Sequence, residues 1–286
     1  MNTRDVDPPR EVLDACSVTS WRPVGGGSIA HSYRAQTADG PIFVKTLADP
    51  APQFFEREAA GLRALAVPGG PDVPEVVYEH PRALVLRWIE PGGGGGPAQE
   101  EEFGRRLAAL HARTAPHFGA VDGSSRGYLG SVPLDLTPRP TWASCYLEHR
   151  VYPLARQAHA RGLLDASELE RVERMSADPQ ACGPPEPPAL VHGDLWPGNR
   201  VVDTAGRGWL IDPSAQYGHR ELDLAVMRMF GGFSGRVFAA YEEVFPLTHG
   251  AAARVPVHQL AMLLVHVLLF GRGYLPKVTQ ALRPWA

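Results

Sequence analysis

Apolar and polar positions follow two different rhythms along this chain. In the first part, short runs rich in β-branched and aromatic residues stand between turn formers. They are Pro41-Ile42-Phe43-Val44-Lys45, Val73-Pro74-Glu75-Val76-Val77-Tyr78 and Ala83-Leu84-Val85-Leu86-Arg87-Trp88-Ile89, and they predict strands. Two more strand-like runs flank the glycines of Val24-Gly25-Gly26-Gly27-Ser28-Ile29-Ala30. A short helix is predicted from Arg10 to Cys16. A longer one runs from Phe54 to Leu65, where Phe55, Ala59, Leu62 and Leu65 recur at helical spacing.

Pro91-Gly92-Gly93-Gly94-Gly95-Gly96-Pro97 is the clearest breaker in the sequence. Beyond it the rhythm is helical. Glu100-Glu101-Glu102 opens a helix running to about Thr114, with Phe103, Leu107 and Leu110 as its buried stripe and acidic charge at the end the macrodipole favours. Further helices are predicted at about 142–161, 166–175, 221–229, 236–244 and 255–270. Residues 116–140, punctuated by Gly119, Gly123, Gly127 and Gly130, predict a long irregular loop facing a substrate, since loops of that length are often functional. The whole pattern predicts an α+β protein of two lobes. Residues 1–90 form an N-lobe of antiparallel sheet plus helix, 91–97 a hinge, and 98–286 a larger, mainly helical C-lobe.

Composition narrows the choice of function. With 286 residues and 44% apolar content the chain can bury real cores. A net charge of −3 excludes a broadly basic nucleic-acid surface. No apolar run reaches membrane-spanning length and Met1-Asn2-Thr3-Arg4-Asp5 is no signal peptide, so a cytoplasmic protein with no membrane partner is expected. Cys16, Cys145 and Cys182 are too scattered for a metal spacing or a disulfide framework. Of the 28 basic residues only Lys45 and Lys277 are lysines. A lysine kept in so arginine-rich a chain suits a place where a compact ammonium must fit among phosphates.

The candidate chemistry centres on His192-Gly193-Asp194-Leu195-Trp196-Pro197-Gly198-Asn199 and Leu210-Ile211-Asp212-Pro213. Val201 to Ile211 reads as two short strands around a turn at Asp203-Thr204-Ala205-Gly206, which would return Asp212 to the side of Asn199. A carboxylate, an amide and a second carboxylate on one surface suit phosphoryl transfer. Asp194 would orient or deprotonate an acceptor hydroxyl, and Asn199 and Asp212 would hold Mg²⁺ against nucleotide phosphates. Polar turn residues alone would explain the spacing less well, because the other parts follow in kinase order. Gly25, Gly26, Gly27 and Ser28 form a glycine-rich lid. Lys45 ends the next strand as a phosphate ligand. Glu58, preferred over Glu56, reaches back to Lys45 from the helix. The backbone of Arg87, Trp88 and Ile89 serves as an adenine-binding hinge.

In this order and wording the motifs resemble the fructosamine kinase (ketosamine-3-kinase) family of kinase-like phosphotransferases. Tyr217-Gly218-His219-Arg220-Glu221-Leu222-Asp223-Leu224-Ala225, Phe230-Gly231-Gly232-Phe233 and Leu269-Phe270-Gly271-Arg272-Gly273-Tyr274-Leu275 are similar too. The resemblance implies a protein-kinase-like fold and an ATP- and Mg²⁺-dependent phosphorylation of the sugar O3 of ketosamines, free or protein-bound, in repair of glycation. It implies Asp194 as base, Asn199 and Asp212 as metal ligands, and Lys45 with Glu58 on the phosphates. Trp196 falls near the sugar. His258 and His266 lie on the last long helix, where a core or cleft-lining place is the ordinary reading and a substrate contact, at His266, the alternative. His219, Arg220, Glu221 and Asp223 would brace the catalytic loop. Two departures stand out: no cysteine lies between Gly25 and Ala30, as it does in redox-switched members, and Arg87 replaces an acidic hinge residue. The competing readings are a small-molecule kinase of the aminoglycoside or choline type, and a nucleotide-binding pseudokinase scaffold. A monomer or weak dimer is expected.

Overall fold

The computed structural model describes residues 7–25 and 29–286; Gly26, Gly27 and Ser28 of the expected lid lie outside the described residues. The chain opens with α1 (Arg10–Ala15), β1 (Ser20–Pro23), β2 (His31–Thr37), β3 (Gly40–Thr46), α2 (Phe54–Leu65), β4 (Val76–His80) and β5 (Ala83–Arg87). The strands form one antiparallel sheet in the order β1-β2-β3-β5-β4. Side chains alternate across a strand, and β3 uses both faces. Ile42 and Val44 pack with Val12, Tyr33, Ala35, Ala83 and Val85 under α1. Phe43 faces the other way, toward Phe55, Ala59, Leu62, Leu84 and Leu86 of α2 and β5. Lys45, two residues after Phe43, is thereby directed to the α2 face.

The glycine-rich stretch 91–97 leads from the sheet into α3 (Pro97–His111). It lies against the C-terminal half: Gly92 donates its N–H to the Val202 carbonyl at 2.8 Å, and a Cβ at Gly92 would stand 2.2 Å from the Asp203 carbonyl oxygen. Then come β6 (Gly119–Ala120), β7 (Arg126–Leu129) and β8 (Val132–Asp135), a π-helix at Ser144–Val151 that continues into α4 (Tyr152–Ala160), and α5 (Ala166–Ser176). They are followed by β9 (Ala189–Val191), β10 (Arg200–Val202), β11 (Gly208–Leu210), β12 (Gln216–Gly218), α6 (Glu221–Met229), α7 (Gly235–Val244), α8 (Ala251–Phe270) and α9 (Leu275–Ala281). The expected irregular loop 116–140 is in fact partly ordered as a hairpin, β7 pairing with β8 from Arg126↔Asp135 to Leu129↔Val132. Its glycines are turn and packing residues: Gly130 takes φ 58 at the bend, a region glycine enters without strain. Leu129, Val132 and Leu134 are buried in the C-lobe core.

That core surrounds α8, whose Leu260 to Val265 are all buried. By length and composition α8 could cross a membrane, which corrects the expectation that no segment is long enough; in this fold it is the central core helix. α3 and α7 meet closely at Gly104, where a Cβ would lie 2.2 Å from the Val237 carbonyl oxygen. The small sheet β6-β12-β9 carries the polar loop after β9, and the hairpin β10–β11 returns the chain beside it.

Candidate active site

The site forms where the N-terminal sheet faces the loops after β9 and β11. Lys45 leaves β3 on the α2 face and meets Glu58 one turn into α2, with Nζ to the two carboxylate oxygens at 2.9 and 3.1 Å. Glu58 and not Glu56 is the partner; Glu56 is solvent-facing and pairs with Arg57 at 2.6 Å. The same Nζ reaches Asp212 Oδ1 at 3.0 Å. Burial opposes the Lys45 charge, but Asp212 and Glu58 more than offset it and hold the ammonium above its ordinary range.

β9 delivers His192, Gly193 and Asp194 into the cleft. The turn is pinned from below by Asp223, which accepts the N–H of His192 at 2.7 Å and of Gly193 at 2.8 Å. His111 holds the same carboxylate at 3.2 Å. Burial alone would raise the Asp223 carboxyl; the hydrogen bond and charge of His111, with His192 and the Gly193 N–H, together outweigh it and the group sits below its usual range. His192 is buried and its Nε2 meets the Ile211 carbonyl at 2.9 Å, tying the two loops together. Gly193 has φ 81, and a Cβ there would stand 2.1 Å from the Ser214 carbonyl oxygen, so only glycine fits.

Asn199 is buried at the end of the turn. Its Nδ2 donates to the Asp194 carbonyl at 2.8 Å and approaches the Asp212 carbonyl at 3.4 Å, leaving Oδ1 as the amide atom free for another partner. Ile211 donates its N–H to the Asn199 carbonyl at 3.0 Å, so the β10–β11 hairpin brings Asp212 back beside Asn199. Asp212 takes a left-handed φ of 53, a conformation Asp tolerates better than most residues but still at some cost. Burial, and then the negative charge of Asp212, push the Asp194 carboxyl up to about 8. Three carboxylates, Glu58, Asp194 and Asp212, thus share one ammonium, Lys45.

These groups line a cleft of about 400 Å³. Its far wall is aromatic. Trp196, 40% exposed, stands edge-on to Phe230 at 6.0 Å and lies over Gly198, where a Cβ would be 2.2 Å from the ring. His266 packs among Phe230, Phe270 and Tyr274 at 4.8 to 5.4 Å, with Nδ1 on the Met262 carbonyl at 2.9 Å. Both residues singled out near the substrate therefore face the cleft, whereas His258 is wholly buried in the core. Ile29 and Ala30, after the glycines, also line it. Gly25 is exposed, and a Cβ there would meet nothing.

Arg87, Trp88 and Ile89 are not among the residues lining this cleft. The Arg87 side chain turns outward to Glu75 at 3.4 Å and the Asp39 carbonyl at 3.5 Å. The N–H groups of Arg87 and Trp88 are already given to the carbonyls of Glu75 and Pro41, while that of Ile89 has no hydrogen-bond partner among the described residues. Of the four residues expected to brace the catalytic loop, Asp223 does so directly. The other three knit the base of the C-lobe: Arg220 clasps Glu186 at 2.6 and 3.0 Å, Glu221 clasps Arg254 at 2.6 and 2.9 Å, and His219 stacks on His258 at 5.1 Å. The ligand atoms of His219, Glu221 and His258 lie within 4.8 Å of one another, but Arg254 already occupies both Glu221 oxygens. Sequence reasoning missed Arg57, Asp122, Tyr128 and Ser214, which also line the cleft; none stands in a motif.

A β-sheet lobe with Lys45 and Glu58 joined, facing Asp194, Asn199 and Asp212 on C-lobe loops, defines a kinase-like phosphotransferase. An aminoglycoside phosphotransferase shares this fold with a TM-score of 0.65 at 13% identity. The chain belongs to the fructosamine kinase family, whose pattern it matches over residues 9–285. It is similar to a Thermus thermophilus protein named as a probable ketoamine kinase, 38% identical over 91% of this chain and 92% of that one. It is also similar to a chloroplastic protein-ribulosamine 3-kinase of Arabidopsis thaliana, 32% identical over 94% of this chain and 84% of the other. The crystal structure of a candidate fructosamine-3-kinase from Thermobifida fusca superposes with a TM-score of 0.88 at 40% identity, covering 96% of this chain and 97% of that one.

Proposed function

We propose that the protein is an ATP- and Mg²⁺-dependent kinase that phosphorylates the sugar O3 of ketosamines. The substrates are ribulosamine or fructosamine adducts of free or protein-bound amines, and the activity serves deglycation. The observation that carries this reading is the two-sided cleft: an excess of carboxylates at one end and an aromatic wall at the other. Asn199 Oδ1 and the Asp212 carboxylate are hard oxygen donors of the kind Mg²⁺ takes, and the surplus of carboxylates over ammonium around Lys45 fits a divalent cation. That cation supplies charge neutralisation on the phosphates. Lys45, fixed by Glu58, grips the phosphates, and Asp194 receives and orients the acceptor hydroxyl. The remaining proposed nucleotide contacts are the lid Gly25 to Ser28 and the hinge backbone, where the free Ile89 N–H suits an adenine acceptor. Lobes of residues 1–90 and 98–286 would close about the 91–97 linker.

The aromatic wall argues against a polycation kinase. Glu58 and Asp212 are held by Lys45 and Asp122 by Arg57, which leaves Asp194 as the free carboxylate for several ammonium groups. Trp196 and His266 instead offer flat faces to a sugar and its amine. Product analysis tests the reading. With ATP, Mg²⁺ and ribulosyl-lysine, phosphorus–proton correlation spectra are expected to place the phosphate on C3, followed by release of free lysine. Phosphate on another carbon would reject the O3 assignment.

A further inference from the structure

We propose that the β7–β8 hairpin is a strut that couples occupancy of the acceptor side of the cleft to the grip of Lys45 on the nucleotide, with Tyr128, Arg57 and Asp122 as its positioning residues. The proposal rests on the kinase reading for the identity of the two ligands, and on contacts of this chain for everything else.

The hairpin and the residues just before it touch each moving part of such a site. The Tyr128 hydroxyl donates to the Pro52 carbonyl at 2.7 Å, and its ring lies 5.3 Å from that of Phe54 in the first turn of α2. This hold matters because Gln53, the residue before α2, is left-handed at φ 63 and the helix has no side-chain cap of its own. Asp122 takes the guanidinium of Arg57 at 2.6 Å, and Arg57 immediately precedes Glu58. On the other side, the Tyr128 carbonyl accepts the Ser214 hydroxyl at 2.6 Å, two residues after Asp212. At the bend, a Cβ on Gly130 would stand 3.2 Å from Ile29 after the glycine-rich stretch and 3.3 Å from Leu269 of the aromatic wall. Gly61 of α2 seats against Pro213 and Ala215, where a Cβ would meet their side chains at 3.3 and 3.1 Å.

Gly127 to Gly130 also line the cleft itself. An acceptor in the cleft therefore presses on the element that sets the start of α2, and Glu58 lies one turn from that start. β7 and β8 pair with each other and not with the five-stranded sheet. Their link to the N-terminal half is made by side chains and one carbonyl, a joint that can adjust without breaking a sheet. If the joint carries coupling, the coupling must be reciprocal: each ligand tightens the other by the same factor.

The experiment is calorimetry of Mg·AMP-PNP binding, alone and with saturating Nα-acetyl-ribulosyl-lysine, on wild type, Tyr128→Phe, Asp122→Asn and the double variant. Wild type is expected to bind the nucleotide roughly fivefold or more tighter with the acceptor present, and the acceptor to gain equally. In the double variant that factor falls to about one, and Mg·AMP-PNP alone binds about threefold or more weaker, within the range of coupling networks. Asp122→Glu restores the factor, whereas a merely structural role would lower the thermal midpoint and leave the factor intact. A wild-type factor of one, or a full factor in the double variant, overturns the strut. Should wild type bind Mg·AMP-PNP but not the ribulosyl-lysine, the ketosamine reading fails on its own. The strut is then decided by the nucleotide arm, where equal affinity in wild type and double variant rejects it.

Discussion

Two clusters of carboxylates lie inside this molecule, and their charge balance is opposite. At the base of the C-lobe, Glu186 and Glu221 face Arg220 and Arg254, each pair joined through two hydrogen bonds. In the cleft, Glu58, Asp194 and Asp212 face Lys45. Burial would raise the carboxyl of Glu221, yet His258 and Arg254 bring it down to about 2. Burial raises the carboxyl of Asp194 too, and there Asp212 adds to the rise, to about 8. The same side-chain chemistry is complete in one place and short of positive charge in the other. The first cluster holds helices together; in the proposed function a cation and the anion it carries complete the second.

The largest effect expected from breaking this contrast is at Asp194. Asp194→Asn keeps the shape of the turn, which Asp223 and Asn199 hold through backbone groups, but removes the carboxylate proposed to receive the acceptor proton. Turnover should fall about 10²- to 10⁴-fold, with Mg·ATP affinity by calorimetry nearly unchanged. Near-normal ketosamine-dependent ADP release would contradict the assignment. In the balanced cluster the loss should be in stability. Glu221→Gln leaves Arg254 without its carboxylate, and breaking a buried pair costs about 3–5 kcal/mol, read as a lowered denaturant midpoint at unchanged slope. A variant as stable as wild type would show that the pair contributes no net stability.

The mildest probe is pH. His219, by burial and by its neighbour His258, falls from 6.5 to about 3 in the fold, and Glu221 falls from 4.5 to about 2. Both folded values are depressed, so the unfolded chain binds protons first and stability is lost as pH falls. The decline should begin below about pH 6.5 as the unfolded chain's His219 protonates. It should steepen below about 4.5, where Glu221 joins it. Asp194, raised in the fold to about 8, acts in the opposite sense over the same window, so the contribution is read as the difference between wild type and His219→Gln: midpoints of the two that change in parallel from about pH 7 down to about 4 would contradict a neutral buried His219.

How much of this was legible beforehand follows from sequence distance. The β3 strand alternates with period two and α2 has helical period, so Lys45 and Glu58 could be put on facing sides before any coordinates. Asp194, Asn199 and Asp212 are joined by one short hairpin, and local turn chemistry was enough. The hairpin β7–β8 was read as irregular because its glycines look like breakers, and four-residue strands carry too little alternation to register. Its contacts, Tyr128 with Pro52 and Asp122 with Arg57, span 76 and 65 residues, beyond the reach of local patterns. The same holds for the three-residue strands β9 and β12 and for α9. Arg220 and Glu221 were expected beneath the catalytic loop because they neighbour Asp223. Two residues along a helix turn a side chain by about 200°, so Glu221 points away from Asp223, and Arg220 stands just before the helix begins; both face the helices of the C-lobe base instead.

The account's central claim is that a carboxylate-rich transfer end and an aromatic acceptor wall together select a ketosamine. The most direct test is ADP release with ATP and Mg²⁺ against ribulosyl-lysine, fructosyl-lysine, choline and kanamycin at equal concentration. Turnover is expected with one or both ketosamines, and none above background with choline or kanamycin. Turnover with kanamycin or choline, and none with either ketosamine, would contradict it.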